Sequence, residues 1–153
     1  MGELSDRSTG PHSNDDVRTA MSVPAVTLEP DSTLRRAAVI LRRSDVGAAV
    51  VTAAGDLVGM LSERDVVQAL ADGADPDTAR VGAAMTGPPL PIAADSPLWA
   101  ATTMMLRHRI RHLPVVDDEG GIVGMLSIRE ALAATDQDRI VRPRSDDVFP
   151  GCG

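Results

Sequence analysis

Residues 59–65, Gly59-Met60-Leu61-Ser62-Glu63-Arg64-Asp65, decide how this chain is read, because residues 124–130 repeat them as Gly124-Met125-Leu126-Ser127-Ile128-Arg129-Glu130. Val58 and Val123 precede the shared Gly-Met-Leu-Ser, and Arg64 and Arg129 follow it at the same place. Outward from there, Asp31-Ser32 and Leu34 recur as Asp95-Ser96 and Leu98, and Met21-Ser22 corresponds to Met85-Thr86. The second copy carries one extra residue at the Gly120-Gly121 turn, where a fold tolerates insertion. The chain is a tandem duplication.

Each copy spells the same elements. A short apolar stretch, Ala25 to Leu28 or Leu90 to Ala93, leads to Asp-Ser, a helix N-cap signal. Leu34, Ala37, Ala38 and Leu41 then share one helical face, repeated by Leu98, Ala101, Thr102 and Met105. Strands are expected over Ala48 to Thr52 and Leu57 to Leu61, and over Leu113 to Val116 and Ile122 to Leu126. Ser62 and Ser127 cap a closing helix. The order β-α-β-β-α, twice, is an α+β fold. Two substantial strands and two helices cannot bury a sheet alone, so the units are expected to pack sheet to sheet about a pseudo-twofold axis. They are expected over 16–76 and 77–135, with a short helix from Asp77 to about Ala84 leading into the second. Residues 1–15 and 136–153, polar and without sustained periodicity, are expected to be a disordered N-terminal tail and a flexible C-terminal one.

Composition narrows the function. The net charge of −7 disfavours nucleic-acid binding, which needs a basic face. Aromatics are 1% of the chain, Trp99 and Phe149, so base-stacking platforms are missing. No apolar run reaches the roughly 18 residues of a membrane span, and the polar N-terminus lacks a signal-peptide core. The single cysteine, Cys152, cannot form an internal disulfide, which fits a reducing cytoplasm. All 15 basic residues are arginine, which excludes lysine Schiff-base chemistry and the P-loop.

No catalytic constellation emerges, so the chain is not expected to be an enzyme. His108 and His112 stand four apart, but the helix should end near Arg109 and His112 should open a strand, so no metal site is expected. Asp117-Asp118-Glu119 reads as a solvated turn. Arg35, Arg36, Arg42 and Arg43 read as a solvated helix face or as a surface for an acidic partner.

The informative feature is the helix start at Ser62. A helix N-terminus favours an anion, and the Asp65 carboxylate suits a vicinal diol such as ribose. Ser62 to Asp65 is equally a capping box, and so is Ser127 to Glu130.

With these residues in view, the chain resembles a tandem pair of cystathionine-β-synthase (CBS) domains, a Bateman module, over roughly 16–135. The resemblance rests on Gly59 to Asp65, on Arg109-Ile110-Arg111-His112-Leu113-Pro114-Val115-Val116 entering a strand, and on the starts at Met21 and Met85. It implies two clefts between the copies for an adenosine-containing ligand: AMP, ADP, ATP or S-adenosylmethionine. In one cleft Asp65 would hold ribose and Ser62 and Arg64 would face phosphates, with Ser22 to Thr27 and Gly47, Ala48, Ala49 and Val50 beside the base. In the other the matching positions are Thr86, Pro91, Arg111, His112, Leu113, Pro114, Ser127 and Arg129, with Glu130 where the family has Asp or Asn. The better acid is thus in copy one and the better cations are in copy two, so two equal sites are not expected. The resemblance implies a regulatory module acting on an effector protein in trans. The alternative is a structural scaffold with empty clefts. Met104, Leu106 and Trp99, outside the helical stripe, suggest a homodimer.

Overall fold

The computed structural model describes residues 15–140, with side chains through Thr135. Residues 1–14 and 141–153, most of the two expected tails, lie outside the described residues, as does Cys152. The first copy comprises β1 (Thr27–Leu28), α1 (Leu34–Ser44), β2 (Ala48–Ala53), β3 (Asp56–Ser62) and α2 (Glu63–Ala71). After a single helical turn, α3 (Val81–Ala84), come β4 (Ile92–Ala93), α4 (Leu98–His108), β5 (His112–Val116), β6 (Ile122–Ser127) and α5 (Ile128–Ile140). This is the α+β repeat that the sequence implies. α3 starts at Val81 rather than Asp77, because Pro76 to Thr78 form a turn. α5 runs five residues past Thr135, through an alanine-rich start that contains no breaker.

Each copy forms a three-stranded sheet, β1-β2-β3 or β4-β5-β6, with its first pair parallel and its second antiparallel. Ala54 and Gly55, both at positive φ, make the tight β2–β3 hairpin turn. The β5–β6 turn is longer and is held by Asp117 Oδ1, which accepts from the N–H of Glu119 (3.0 Å) and of Gly121 (2.7 Å). Alternation along the strands sorts the side chains. Ala49, Val51 and Leu61 join Leu34, Ala37 and Leu41 in one core. Leu113, Val115 and Leu126 join Leu98, Ala101 and Met105 in the other. Ala38, placed on the apolar stripe by spacing, is exposed, and Thr102 is half-buried. Val50 and Pro114 are fully buried yet belong to neither core, because they point to the opposite faces of their sheets.

The copies exchange their N-terminal segments. Thr86, which opens copy two, pairs with Met60 of β3 by two backbone hydrogen bonds of 2.9 Å. Ser22, which opens copy one, pairs with Met125 of β6 at 2.9 and 3.0 Å. Val81 of α3 completes the core of copy one, and Val17, in a 3-10 turn over Val17–Thr19, completes that of copy two. The exchange also caps helices. The Leu34 and Arg35 amides donate to Ala79 O (3.0 Å) and Pro76 O (2.9 Å), and the Leu98 amide donates to Asp15 O (2.9 Å). The N-caps are Thr33, whose Oγ1 accepts from the Arg36 N–H (3.2 Å), and Pro97, which makes no side-chain cap, not the Asp-Ser pairs. The Arg35 guanidinium pairs with the Asp77 carboxylate, tying the link between copies to α1.

Gly59 and Gly124 are where the exchanged segments cross. A Cβ on Gly59 would lie 2.6 Å from Met85 Sδ and 3.0 Å from Thr86 O. A Cβ on Gly124 would lie 2.7 Å from the backbone oxygen of Ser22. A flexible thioether can yield, whereas a carbonyl held in a hydrogen-bonded bridge yields less. Gly124→Ala should therefore destabilise by about 1–3 kcal/mol, more than Gly59→Ala, as read by thermal or denaturant unfolding.

Candidate functional site

The exchange places a cavity of about 360 Å³ between the copies, a size typical of small-molecule sites. The start of α2 supplies Ser62, Glu63, Arg64 and Asp65, and Thr86 faces them from the segment crossing β3. Arg109 and Arg111 come from the turn between α4 and β5, and His112 from the first position of β5. Met60, Pro88, Pro89, Leu90 and Ile110 give the cavity its apolar wall, with Gly47 and Ala48 at the entry to β2.

Asp65 does two things with two oxygens. Its Oδ2 accepts from the Ser62 N–H (2.7 Å) and from Ser62 Oγ (2.8 Å), while Ser62 Oγ accepts from the Asp65 N–H (3.2 Å). That is a complete capping box. Oδ1 takes only a long hydrogen bond, 3.4 Å, from Thr86 Oγ1. The capping reading and the ligand reading are thus compatible, since one oxygen holds the helix and the other borders the cavity. Three arginines against two carboxylates leave the lining with an excess of positive charge, and the positive end of the α2 dipole adds to it.

Of the residues singled out in the sequence, Gly47, Ala48, Ser62, Arg64, Asp65, Thr86, Arg111 and His112 line this one cavity. Asp65 and the Arg111-His112 pair, assigned above to separate clefts, therefore face the same space. The physical reason is the exchange, which carries the opening of copy two across to β3 of copy one. The others lie elsewhere. Ala49, Val50, Leu113 and Pro114 are fully buried, Thr27 is on the outer strand β1, and Pro91 is exposed. Ser22, Ser127 and Glu130 gather at the start of α5, next to Arg129. There Glu130 Oε2 accepts from the Ser127 N–H (2.7 Å), and Oε1 accepts from the Ser22 hydroxyl. Met60, Glu63, Pro88, Pro89, Leu90, Arg109 and Ile110 line the cavity without having been singled out as site residues. The Pro88-Pro89 pair and Gly59, which admits the crossing chain, were the available signals.

His112 opens β5 and His108 closes α4, with Arg109 at positive φ between them, so the two histidines sit on different elements. Among the described residues no three His, Cys, Asp or Glu side chains are grouped to hold a metal. No helix among them is long and apolar enough to cross a membrane. The His112 ring packs on Gly47, where an added Cβ would lie 3.2 Å from Nε2. Burial pushes its pKa below the ordinary 6.5. Glu130 and Glu63 oppose that shift, and Arg111 adds to it. The shift favours the neutral imidazole, so His112 is a weaker source of positive charge than the arginines beside it. The unfolded chain binds the proton more readily, so this contribution to stability is full above about pH 6.5 and is lost as the pH falls from there through the folded value. His112→Gln should show a smaller drop in melting temperature between pH 7.5 and 5.5 (a roughly chosen window spanning that value) than the unsubstituted protein. Equal slopes would contradict this.

Residues 16–72 and 81–136 each match the model of the CBS domain. The CBS domain-containing protein YhcV of Bacillus subtilis is 32% identical over 113 residues, 73% of this chain and 79% of that protein. A CBS domain protein of Pyrobaculum aerophilum, solved in complex with AMP, superposes with a TM-score of 0.72 at 31% identity, covering 80% of this chain and 99% of that one. The cytosolic domain of the Mg2+ channel MgtE, solved in complex with ATP, gives a TM-score of 0.65 at 27% identity, covering 80% of this chain and 50% of that one. With two β-α-β-β-α units, each matched by the same family model, the chain belongs to the CBS domain family as a tandem pair.

Proposed function

We propose that this protein is a regulatory module that binds an adenosine nucleotide in the cavity between its two CBS units. The observation that carries the reading is the Asp65 carboxylate, whose Oδ1 is nearly unengaged and faces Thr86 in a cavity that also contains three arginines. A ribose diol would bond to Asp65 Oδ1 and Thr86 Oγ1. Phosphate would meet Arg64, Arg109 and Arg111, whose guanidinium forks suit its oxygens, and the apolar wall would hold the base. The relatives solved with AMP and with ATP support this ligand class, within which ADP and S-adenosylmethionine remain candidates.

Because the lining comes from both copies, a ligand there bridges them and favours the arrangement in which both sets of groups reach it. An effector protein in the cytoplasm would then read the altered outer surface. We also propose that the module is a homodimer. Trp99 (64% exposed) and Leu106 (74%) on α4 and Leu132 on α5 form apolar helical surface, as do Val67 and Leu70 on α2. Met104, counted in that set from sequence, instead packs against its own core. Light scattering at tens of micromolar (a rough choice) should give twice the mass of one chain, and a monomer would contradict the dimer.

Calorimetry tests the ligand reading. AMP should bind more tightly than adenosine at low salt, and the difference should shrink as salt screens the arginines. Arg111→Ala should remove much of that difference and leave adenosine binding nearly unchanged. Asp65→Ala should lose binding of both, and loss of the cap should cost about 1 kcal/mol of stability. Unchanged affinity with reduced stability would leave Asp65 as a capping residue only, whereas no binding of either ligand to the unsubstituted protein would favour the scaffold with empty clefts.

A further inference from the structure

The duplication gives every group in the cavity a counterpart. Thr86 corresponds to Ser22, Asp65 to Glu130, Arg64 to Arg129 and Arg109 to Asp45. The backbone preserves that relation closely. Asp45 and Arg109 are the C-caps of α1 and α4, at φ 53 and 54, and the two crossing segments make the same pair of hydrogen bonds. The side chains do not preserve it.

At the first position Asp65 keeps Oδ1 almost free, with Thr86 Oγ1 at 3.4 Å. At the second, the additional methylene of Glu130 carries its carboxylate to the Ser22 hydroxyl, and both oxygens are engaged within the protein. Ser22 then occupies the carboxylate oxygen that a sugar hydroxyl would need. The charge changes in the same direction at the equivalent helix end, since the C-cap of α1 is Asp45 where that of α4, which lines the cavity, is Arg109. A carboxylate there repels phosphate where a guanidinium would attract it.

We propose that each chain takes one nucleotide, at Asp65, and that the pseudo-symmetric position is closed from within by the Ser22–Glu130 hydrogen bond and by Asp45. Glu130 and Asp45 are in this sense specificity-determining residues, fixing how many ligands the module accepts. This rests on the nucleotide-binding reading above.

Titration calorimetry on the full chain with AMP as the probe tests it. The protein should bind one AMP per chain. Asp65→Ala should abolish that binding. Glu130→Gln, which keeps an acceptor for the Ser127 N–H and so preserves the helix start, should leave stoichiometry at one and affinity within about twofold, a change of roughly 0.4 kcal/mol. The double variant Asp45→Arg with Glu130→Asp should raise the stoichiometry towards two, with its fold checked by melting temperature. Two AMP per chain in the unsubstituted protein would overturn the proposal, as would single-site binding that survives Asp65→Ala and is lost in Glu130→Gln. A folded double variant that still binds one would overturn the role given to Glu130 and Asp45. No binding of AMP, ADP, ATP or S-adenosylmethionine to the unsubstituted protein would overturn the nucleotide reading itself.

Discussion

Two glycines without side chains let two chain segments cross, and the rest of the molecule follows from that crossing. At Gly59 and Gly124 the opening of one copy passes so close to the other that a single carbon would meet a sulfur or a carbonyl oxygen. The contact sets the spacing of the bridges at Met60–Thr86 and Ser22–Met125. It also places Val81 and Val17 in the cores of the opposite units and supplies the carbonyls that satisfy the first amides of α1 and α4. Neither unit has a complete core or a complete helix start without the other copy's segment.

The cavity is a product of the same geometry. A helix start and its capping carboxylate would be an ordinary surface feature if nothing crossed β3. Because Thr86, Pro88 and Pro89 do cross it, that helix start gains an opposite wall, and the turn after α4 brings arginines to face it. His112 fits there because position 47 is glycine, and its ring fills the space a side chain would take. Burial then favours its neutral form, so the positive character of the site rests mainly on arginines, which cannot lose their charge.

Local order was legible in the sequence. Spacing placed the four main strands within a residue at every end, and the internal repeat gave the element order. What local pattern cannot carry is the identity of a distant partner. Asp31-Ser32 and Asp95-Ser96 read as caps because a helix start needs acceptors, yet those acceptors come from the neighbouring Thr33 hydroxyl at α1 and from the backbone of Ala79, Pro76 and Asp15. The site residues were legible one at a time for the same reason. Asp65, Arg111 and His112 each stood out by type and position, but sorting them by copy put them in two clefts. Only the exchange of segments shows that they share one. Ala49, Val50, Leu113 and Pro114 flank true lining residues in sequence, but they are fully buried in the packed interior.

The exchange also bears on why the two units are joined in one chain. Two free copies of a single unit could make the same reciprocal crossing, as an isologous dimer in which each arm lies on the other's sheet. In such a dimer both ligand positions would be identical by symmetry, and a residue suited to one would be imposed on the other. Covalent linkage removes that obligation. Once the copies are encoded separately, one position can keep an aspartate and an arginine while its counterpart takes a glutamate and an aspartate. The crossing still treats the halves as equals, while the chain that joins them is free to make them different.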